Sequence, residues 1–243
     1  MTIAVATYNI HACDDGGNPG NLGAIIRVIA HFDPDIVALQ EIDPNLFGPK
    51  HIDQVRVIAE GLRMNFQPDP PPPADQSPYA NAIFSRYPMR LIRAERLPTL
   101  PYHHFTARSA LWVEVRIGDD TIQVINAHLG HHSQERLLQA EALLGPHWSR
   151  NPRCQPPVIL CGDFNAGPRS EAYVLLCGAF RDAQLQLEGG RPENTWPSRF
   201  PLRRIDHIFI SPDLLVRKIT VPKSSLARTA SDHLPLVADL ALT

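Results

Sequence analysis

Short apolar runs recur along this chain, and each gives way to a polar side chain of one restricted kind. The run over residues 3–10 (IAVATYNI) carries Asn9 at its close, residues 35–40 (DIVALQ) lead into Glu41, and VINAH closes on His128. VILCGDFN brings Asp163 and Asn165, RIDHIFI carries Asp206, and SDHLP sets Asp232 and His233 just before the last apolar run. Runs of this length, rich in Val, Ile and Leu, read as buried strands. The VILCGDFNAGP segment is the most informative: its strand is expected to end at Gly162. In an extended backbone residues i and i+2 share a face, so Asp163 and Asn165 are expected to point the same way. Gly162, Ala166 and Gly167 leave room for something to approach.

Between the strands the apolar period changes. Leu22, Ile25, Ile26 and Ile29 fall on one helical face, as do Ile52, Val55, Ile58, Ala59 and Leu62. Ser133 is expected to cap a helix carrying Leu137, Leu138, Ala140, Leu143 and Leu144. Residues 82–85, 91–97, 110–117 and 121–127 read as successive strands, the last two joined as a hairpin through Gly118, Asp119 and Asp120. Residues 205–210, 214–221 and 236–240 close the chain as strands. Residues 67–78 (QPDPPPPADQSP) form a stiff, proline-rich surface connection. Helices mixed with hairpin-type and crossover-type connections imply a mixed sheet system covered by helices. The 243 residues fit a single domain spanning 1–243.

With 23 basic and 25 acidic residues the net charge is −2, so no global field draws the chain onto DNA or an anionic surface; only local basic clusters can act. Cys13, Cys154, Cys161 and Cys177 lie without a C-x-x-C pair and read as reduced thiols. The opening residues read as a strand rather than a signal peptide, and no apolar run is long enough to span a bilayer. A cytoplasmic location is therefore expected.

Taken singly, each polar strand end has an ordinary reading: Asn in a turn, Glu on a solvated edge, His as a hydrogen-bonded structural residue. As a set they carry chemistry. The hard oxygen donors of Asn9, Glu41, Asp163, Asn165 and Asp232 suit Mg²⁺, with Mn²⁺ as an alternative. His128, His233 and Asp206 suit proton management beside it. There is no H-E-x-x-H and no Cys/His quartet, which makes zinc the weaker choice.

In this order the motifs resemble those of the endonuclease/exonuclease/phosphatase family, the deoxyribonuclease-I-like metal-dependent phosphoesterases. TYNIH resembles the opening Asn motif, LQE the metal Glu motif and NAIFSR the strand after a variable insert. NAHL is similar to the N-x-H-L motif, GDFN to the central motif, RIDHIF to the D-x-[IF] strand and SDHLP to the terminal S-D-H motif. The resemblance covers nearly the whole chain. It implies an α+β fold: a four-layered α/β sandwich of two packed, mainly antiparallel sheets flanked by helices, with the active site where the motif strands end. It implies Glu41 as principal metal ligand, helped by Asn9 and, through water, Asp232. Asp163 would orient or deprotonate the attacking water and Asn165 hold phosphate or water. Asp206 would fix His233, and His128 would sit near the leaving group as general acid or phosphate donor.

The implied activity is metal-dependent hydrolysis of a phosphate ester, with a DNA-directed nuclease as one alternative and an inactive binding module as another. The motifs do not choose the substrate beyond its phosphate, and nucleic acid is not favoured by the net charge. Arg86, Arg199 and Arg203, near motif segments, are the candidate substrate contacts. Arg108 is grouped with solvated surface arginines; His131 and His132, after NAHLG, could line the rim but are assigned structural or solvent roles.

Overall fold

The computed structural model describes residues 1–13, 21–43, 53–70, 80–100 and 107–242. The proline-rich segment over 71–79 and the loop over 14–20 lie outside them. Along the chain run β1 (Thr2–Asn9), α1 (Leu22–Phe32), β2 (Ile36–Ile42), α2 (Gln54–Leu62), β3 (Asn65–Pro68), β4 (Ala80–Ser85), β5 (Met89–Arg96), β6 (Ser109–Ile117) and β7 (Asp120–His128). There follow α3 (Ser133–Leu143), β8 (Val158–Asp163), α4 (Glu171–Cys177), β9 (Arg181–Asp182), β10 (Asp206–Ile210), β11 (Leu214–Thr220), α5 (Ser225–Ala230) and β12 (Leu236–Leu242).

The strands form two six-stranded sheets, ordered β11-β12-β1-β2-β4-β3 and β5-β6-β7-β8-β10-β9. Pairing is antiparallel except for β1–β2 and β7–β8. The apolar faces of the sheets meet in one core that takes in Ile3, Val5, Leu39, Ile83, Val113, Val124, Ile159 and Ile208 and extends to α1 and α2. A second core, with Trp112, Leu143, Leu160, Tyr173, Leu176 and Phe209, fills the space between the second sheet and α3 and α4. The result is the four-layered sandwich.

A polar bridge crosses the middle of this core. Gln40 Nε2 donates to Asn126 Oδ1 at 2.8 Å, and Asn126 Nδ2 donates to the carbonyls of Leu39 and Ala82 at 2.8 and 3.1 Å. Buried amides are stable only when so paired, and this pairing fixes the register of one sheet against the other just beneath the motif residues. Asn126, in NAHL, is thus a sheet-to-sheet fastener.

Two local expectations are corrected, and three short elements were not anticipated. The strand does not end at Gly162 but continues to Asp163, in parallel register with β7 (Ala127 beside Gly162, His128 beside Asp163). Gly162 has φ 144°, and a Cβ there would lie 1.8 Å from the Ala127 carbonyl oxygen, so only glycine lets the strands close up. Helix α3 is capped by His132 without a side-chain bond, and Ser133 is its first helical residue. The edge strand β3 and helices α4 and α5 carried too short a periodic signal to be read.

Candidate functional site

The topology decides which strand ends meet. β1 and β2 run parallel, β7 and β8 run parallel, and β10 runs antiparallel to β8 with Asp206 opposite Asp163. The C-terminal ends of four strands and the N-terminal end of β10 therefore converge. Glu41 sits at an irregularity in β2, where the register against β4 shifts between Leu39 and Ile42 and Glu41 itself has φ 55°. A bulge of this kind re-aims one side chain. The same-face expectation for Asp163 and Asn165 fails in its mechanism, because Asn165 (φ 48°) lies beyond the strand. What gathers the two is a turn: the Asn165 N–H donates to Asp163 Oδ1 at 2.8 Å, an Asx-type bond.

Asp163 is the hub. It is almost fully buried, its Oδ2 accepts from Asn9 Nδ2 at 3.0 Å, and it lies 3.4 Å from His128 Nε2 and 3.6 Å from His233 Nε2. Burial pushes its carboxyl up to about 6; the His233 charge and the donors Asn165 N–H and Asn9 work against burial, and nearby Asp206 reinforces it. His233 is held on its other nitrogen by Asp206, at 2.9 Å. Burial alone would lower this imidazole, but the carboxylates of Asp206 and Asp163 outweigh it and raise it to about 10. His233 is consequently an imidazolium at neutral pH, with Nδ1 on Asp206 and Nε2 towards Asp163.

Asn9 ties the two acid groups together. Its Nδ2 also donates to Glu41 Oε1 at 3.2 Å, while its Oδ1 accepts the His11 N–H at 3.0 Å. Asn9 thus presents its N–H donors to Glu41 and Asp163, while its oxygen accepts one backbone N–H and keeps a second lone pair. Asp232 lines the cleft with both oxygens engaged, by His11 Nδ1 at 3.0 Å and Trp196 Nε1 at 3.1 Å. Burial raises its carboxyl, but the His11 hydrogen bond and the charges of His233 and His11 prevail and hold it at about 2.

His128 departs from expectation. It is buried behind the two carboxylates, with Nδ1 3.0 Å from Arg108 and Nε2 3.4 Å from Asp163 and 3.8 Å from Glu41. A guanidinium only donates, so Nδ1 is the acceptor and the proton sits on Nε2, facing the carboxylates. Burial and the Arg108 charge then hold this ring well below the ordinary histidine range, and it is neutral. The ring thus lies neutral and buried beside the Asp163 and Glu41 carboxylates. Asn165 Nδ2 donates to the Leu129 carbonyl at 2.9 Å and packs 3.2 Å from His128 Nε2.

The cleft in front of these groups has a volume of about 390 Å³. Glu41, Asp163, Asn165, Asp232 and His233 line it, joined by His11, Arg108, His131, Trp196, Arg203 and Ile205. Arg108 and His131 are the residues misread from sequence. Arg108 is buried, donating to His128 and, at 3.0 Å, to His131 Nε2. Its signal was the hairpin: β6 pairs antiparallel with β7 with Ala110 opposite Ala127, so the residue two before Ala110 must fall beside the end of β7. Arg203 is in the cleft wall, its guanidinium 5.5 Å from the Trp196 ring centre. Arg199 is exposed and outside the lining. Arg86 is at the wrong end: β4 runs antiparallel to β2, Ser85 sits opposite Ile36, and Arg86 pairs with Asp33.

Asp163, Asp206 and His233 offer ligand atoms within 4.8 Å of one another. With His233 hydrogen-bonded to Asp206 and 3.6 Å from Asp163, the trio is laid out as a proton network. The oxygen donors that fit a hard divalent cation are at the cleft face, where the partly exposed Glu41 shares the Asn9 amide with Asp163. No helix among the described residues is long and apolar enough to cross a membrane.

Comparison with known proteins places this geometry among relatives. The sequence model of the Endonuclease/Exonuclease/phosphatase family matches residues 6–233. The "uncharacterized protein YbhP" of Escherichia coli (strain K12) is 26% identical over 252 residues, covering 100% of this chain and 97% of that protein. Among solved structures, an endonuclease/exonuclease/phosphatase from Bacteroides vulgatus superposes with a TM-score of 0.80 at 19% identity, covering 100% of both chains. The mannosyl-6-phosphatase Bt3783 of Bacteroides thetaiotaomicron superposes with a TM-score of 0.78 at 20% identity, covering 99% of this chain and 100% of that one.

Proposed function

Because the chain belongs to the endonuclease/exonuclease/phosphatase family, whose members are phosphoesterases and nucleases, we propose that it is a divalent-metal-dependent hydrolase of phosphate esters, with water attacking in line. One observation carries this reading: a buried carboxylate, Asp163, lies 3.6 Å from a histidine that Asp206 holds as a cation. A base beside a fixed positive charge suits attack on a phosphate, where negative charge grows on the equatorial oxygens.

Asp163 takes the attacking water as hydrogen-bond acceptor and receives its proton. Burial favours the protonated carboxyl, so acceptance is cheap once the water has been polarised. His233 donates from Nε2 to a phosphate oxygen and stabilises the transition-state charge; Asp206 keeps the ring oriented and charged. Arg108 adds a second cation on the cleft wall, and Asn165 holds the water or a phosphate oxygen. Asn9 positions Asp163 and Glu41 through its N–H donors, and His128 packs behind both carboxylates. Glu41 would hold a divalent cation, Mg²⁺ or Mn²⁺, with Asp232 as a further carboxylate on the same cleft. When bound, that cation supplies charge neutralisation at the phosphate and polarises the oxygens around it.

A DNA-directed reading shares the cleft chemistry but is not favoured by the net charge of −2. Turnover of p-nitrophenyl phosphate and bis-p-nitrophenyl phosphate, with Mg²⁺, with Mn²⁺ and with EDTA, tests the proposal, using Asp163→Asn as the blank. Extending the panel to abasic and single-stranded DNA, nucleotides, inositol phosphates and phospholipid headgroup esters separates the substrates. Metal-dependent turnover lost in the blank is expected; equal turnover in EDTA or in Asp163→Asn overturns the reading.

A further inference from the structure

Beside the cleft the chain doubles back between Thr195 and Arg203. The N–H groups of Thr195 and Trp196 both donate to the Arg203 carbonyl at 3.0 Å, and those of Leu202 and Arg203 donate to the Trp196 carbonyl at 2.8 and 2.7 Å. The Phe200 N–H donates to the Pro197 carbonyl at 3.1 Å, and the Ser198 N–H to the Asp232 carbonyl at 2.7 Å. From α5, Arg228 donates to the carbonyls of Ser198 and Arg199. Pro197 and Pro201 restrict φ on either side of the tip. The hairpin is a rigid, internally satisfied element.

At its tip this element exposes what a stable fold normally covers. Phe200 is 76% and Leu202 75% exposed, the highest values among the large hydrophobic side chains described. A rigid loop gains nothing for the core by holding two large apolar groups in water, so the presentation needs an external partner to make sense. Residues 195–205 contain three arginines and no acidic residue. Arg204 is buried against Asp182, while Arg199 and Arg203 are exposed on either side of the apolar pair. Apolar side chains flanked by exposed guanidinium groups match the layering of an anionic bilayer surface: acyl boundary outermost, phosphate one step back. A nucleic-acid strand fits less well, because Leu202 offers no π face for a base.

We infer that the 196–203 hairpin docks this chain on an anionic lipid surface, and that the phosphate ester brought to the cleft is a lipid headgroup ester. The second half rests on the hydrolase reading above; the first does not. Trp196 and Arg203 belong both to the hairpin and to the cleft wall, so docking the tip sets the cleft mouth at headgroup level.

The test is co-sedimentation in EDTA with vesicles of phosphatidylcholine alone and of phosphatidylcholine mixed with phosphatidylglycerol. The wild-type chain is expected to pellet with the mixed vesicles, less so as salt rises, and Trp196 fluorescence to shift to the blue. The double variant Phe200→Ser/Leu202→Ser should bind about tenfold or more weakly, as expected for two large apolar groups no longer buried. Its circular dichroism and its turnover of soluble bis-p-nitrophenyl phosphate should be unchanged, while its turnover of vesicle-borne esters falls with binding. Docking is overturned if the wild type does not pellet, if the variant pellets equally well, or if the variant loses binding to a single-stranded oligonucleotide instead. If vesicles are bound as expected but no soluble or vesicle-borne ester is hydrolysed with metal present, the hydrolase reading fails and docking stands.

Discussion

Replacing Asp206 by asparagine separates charge from shape at the most consequential contact of the cleft. The amide is isosteric: placed at the Oδ2 position, its oxygen can still accept from both His233 Nδ1 and the Thr195 hydroxyl, which share that oxygen in the wild type. What disappears is the negative charge 2.9 Å from the ring. The rise of His233 from its ordinary 6.5 to about 10 corresponds to about 5 kcal/mol favouring the charged ring, won against a burial cost that pulls the other way. Asp206 is the larger of the two carboxylate contributions, and losing an opposite charge in contact lowers a pKa by about 1–3. In Asp206→Asn the His233 ring should therefore titrate near pH 7–9. Histidine ¹⁵N chemical shifts read this directly.

Two linked effects follow from the same change. The alkaline limb of the hydrolysis profile should move to lower pH by the same interval as the ring. In the wild type the stability contributed by His233 is complete below its unfolded value near 6.5 and fades as pH rises towards about 10; in the variant that decline should end at about pH 7–9 and be correspondingly smaller. A His233 ring in Asp206→Asn that stays doubly protonated through about pH 10 would refute the assignment of its charge to Asp206.

Asp163→Asn should lower turnover about 10²-fold or more with an unchanged melting temperature; a near wild-type rate removes Asp163 from the chemistry. Asn126→Ala should destabilise by about 1–3 kcal/mol in urea unfolding, because Gln40 and two backbone carbonyls lose buried partners. Behind the cleft, burial raises the Asp182 carboxyl, but His207, Arg204 and Tyr173 outweigh it and hold it at about 2. Its contribution of about 2–3 kcal/mol is present above pH ~4 and is lost as pH falls towards about 2, so Asp182→Asn should flatten the acid limb of a stability–pH curve.

Most of the site was legible because motif order and strand identity suffice to place residues at strand ends: Glu41, Asp163, Asn165, Asp232 and His233 line one cleft, with Asp206 buried against His233. What sequence could not supply was direction. Arg86 lies as near to a motif as Arg203 does, yet β4 runs antiparallel to β2 and carries Arg86 to the opposite end. Arg108 was hidden for the converse reason, since only the β6–β7 register reveals that it meets His128. Its presence bears on a motif residue: after burial, the guanidinium beside Nδ1 is the next cause holding His128 neutral. Asn9 shows the same limit, because its donor or acceptor face is chosen by the His11 N–H, a backbone group invisible to any motif. The β3 edge strand and the six-residue α5 escaped because so few residues cannot establish a period.

The central claim is that Glu41 supplies the metal half of the cleft while Asp163 and His233 supply the rest. It is tested most directly by measuring bis-p-nitrophenyl phosphate turnover against Mg²⁺ concentration for the wild type and Glu41→Ala. A saturable Mg²⁺ dependence in the wild type is predicted, together with a loss of about 10²-fold in Glu41→Ala that excess Mg²⁺ restores only partly. Turnover without added metal in EDTA, or a Glu41→Ala curve that overlays the wild type, would contradict it.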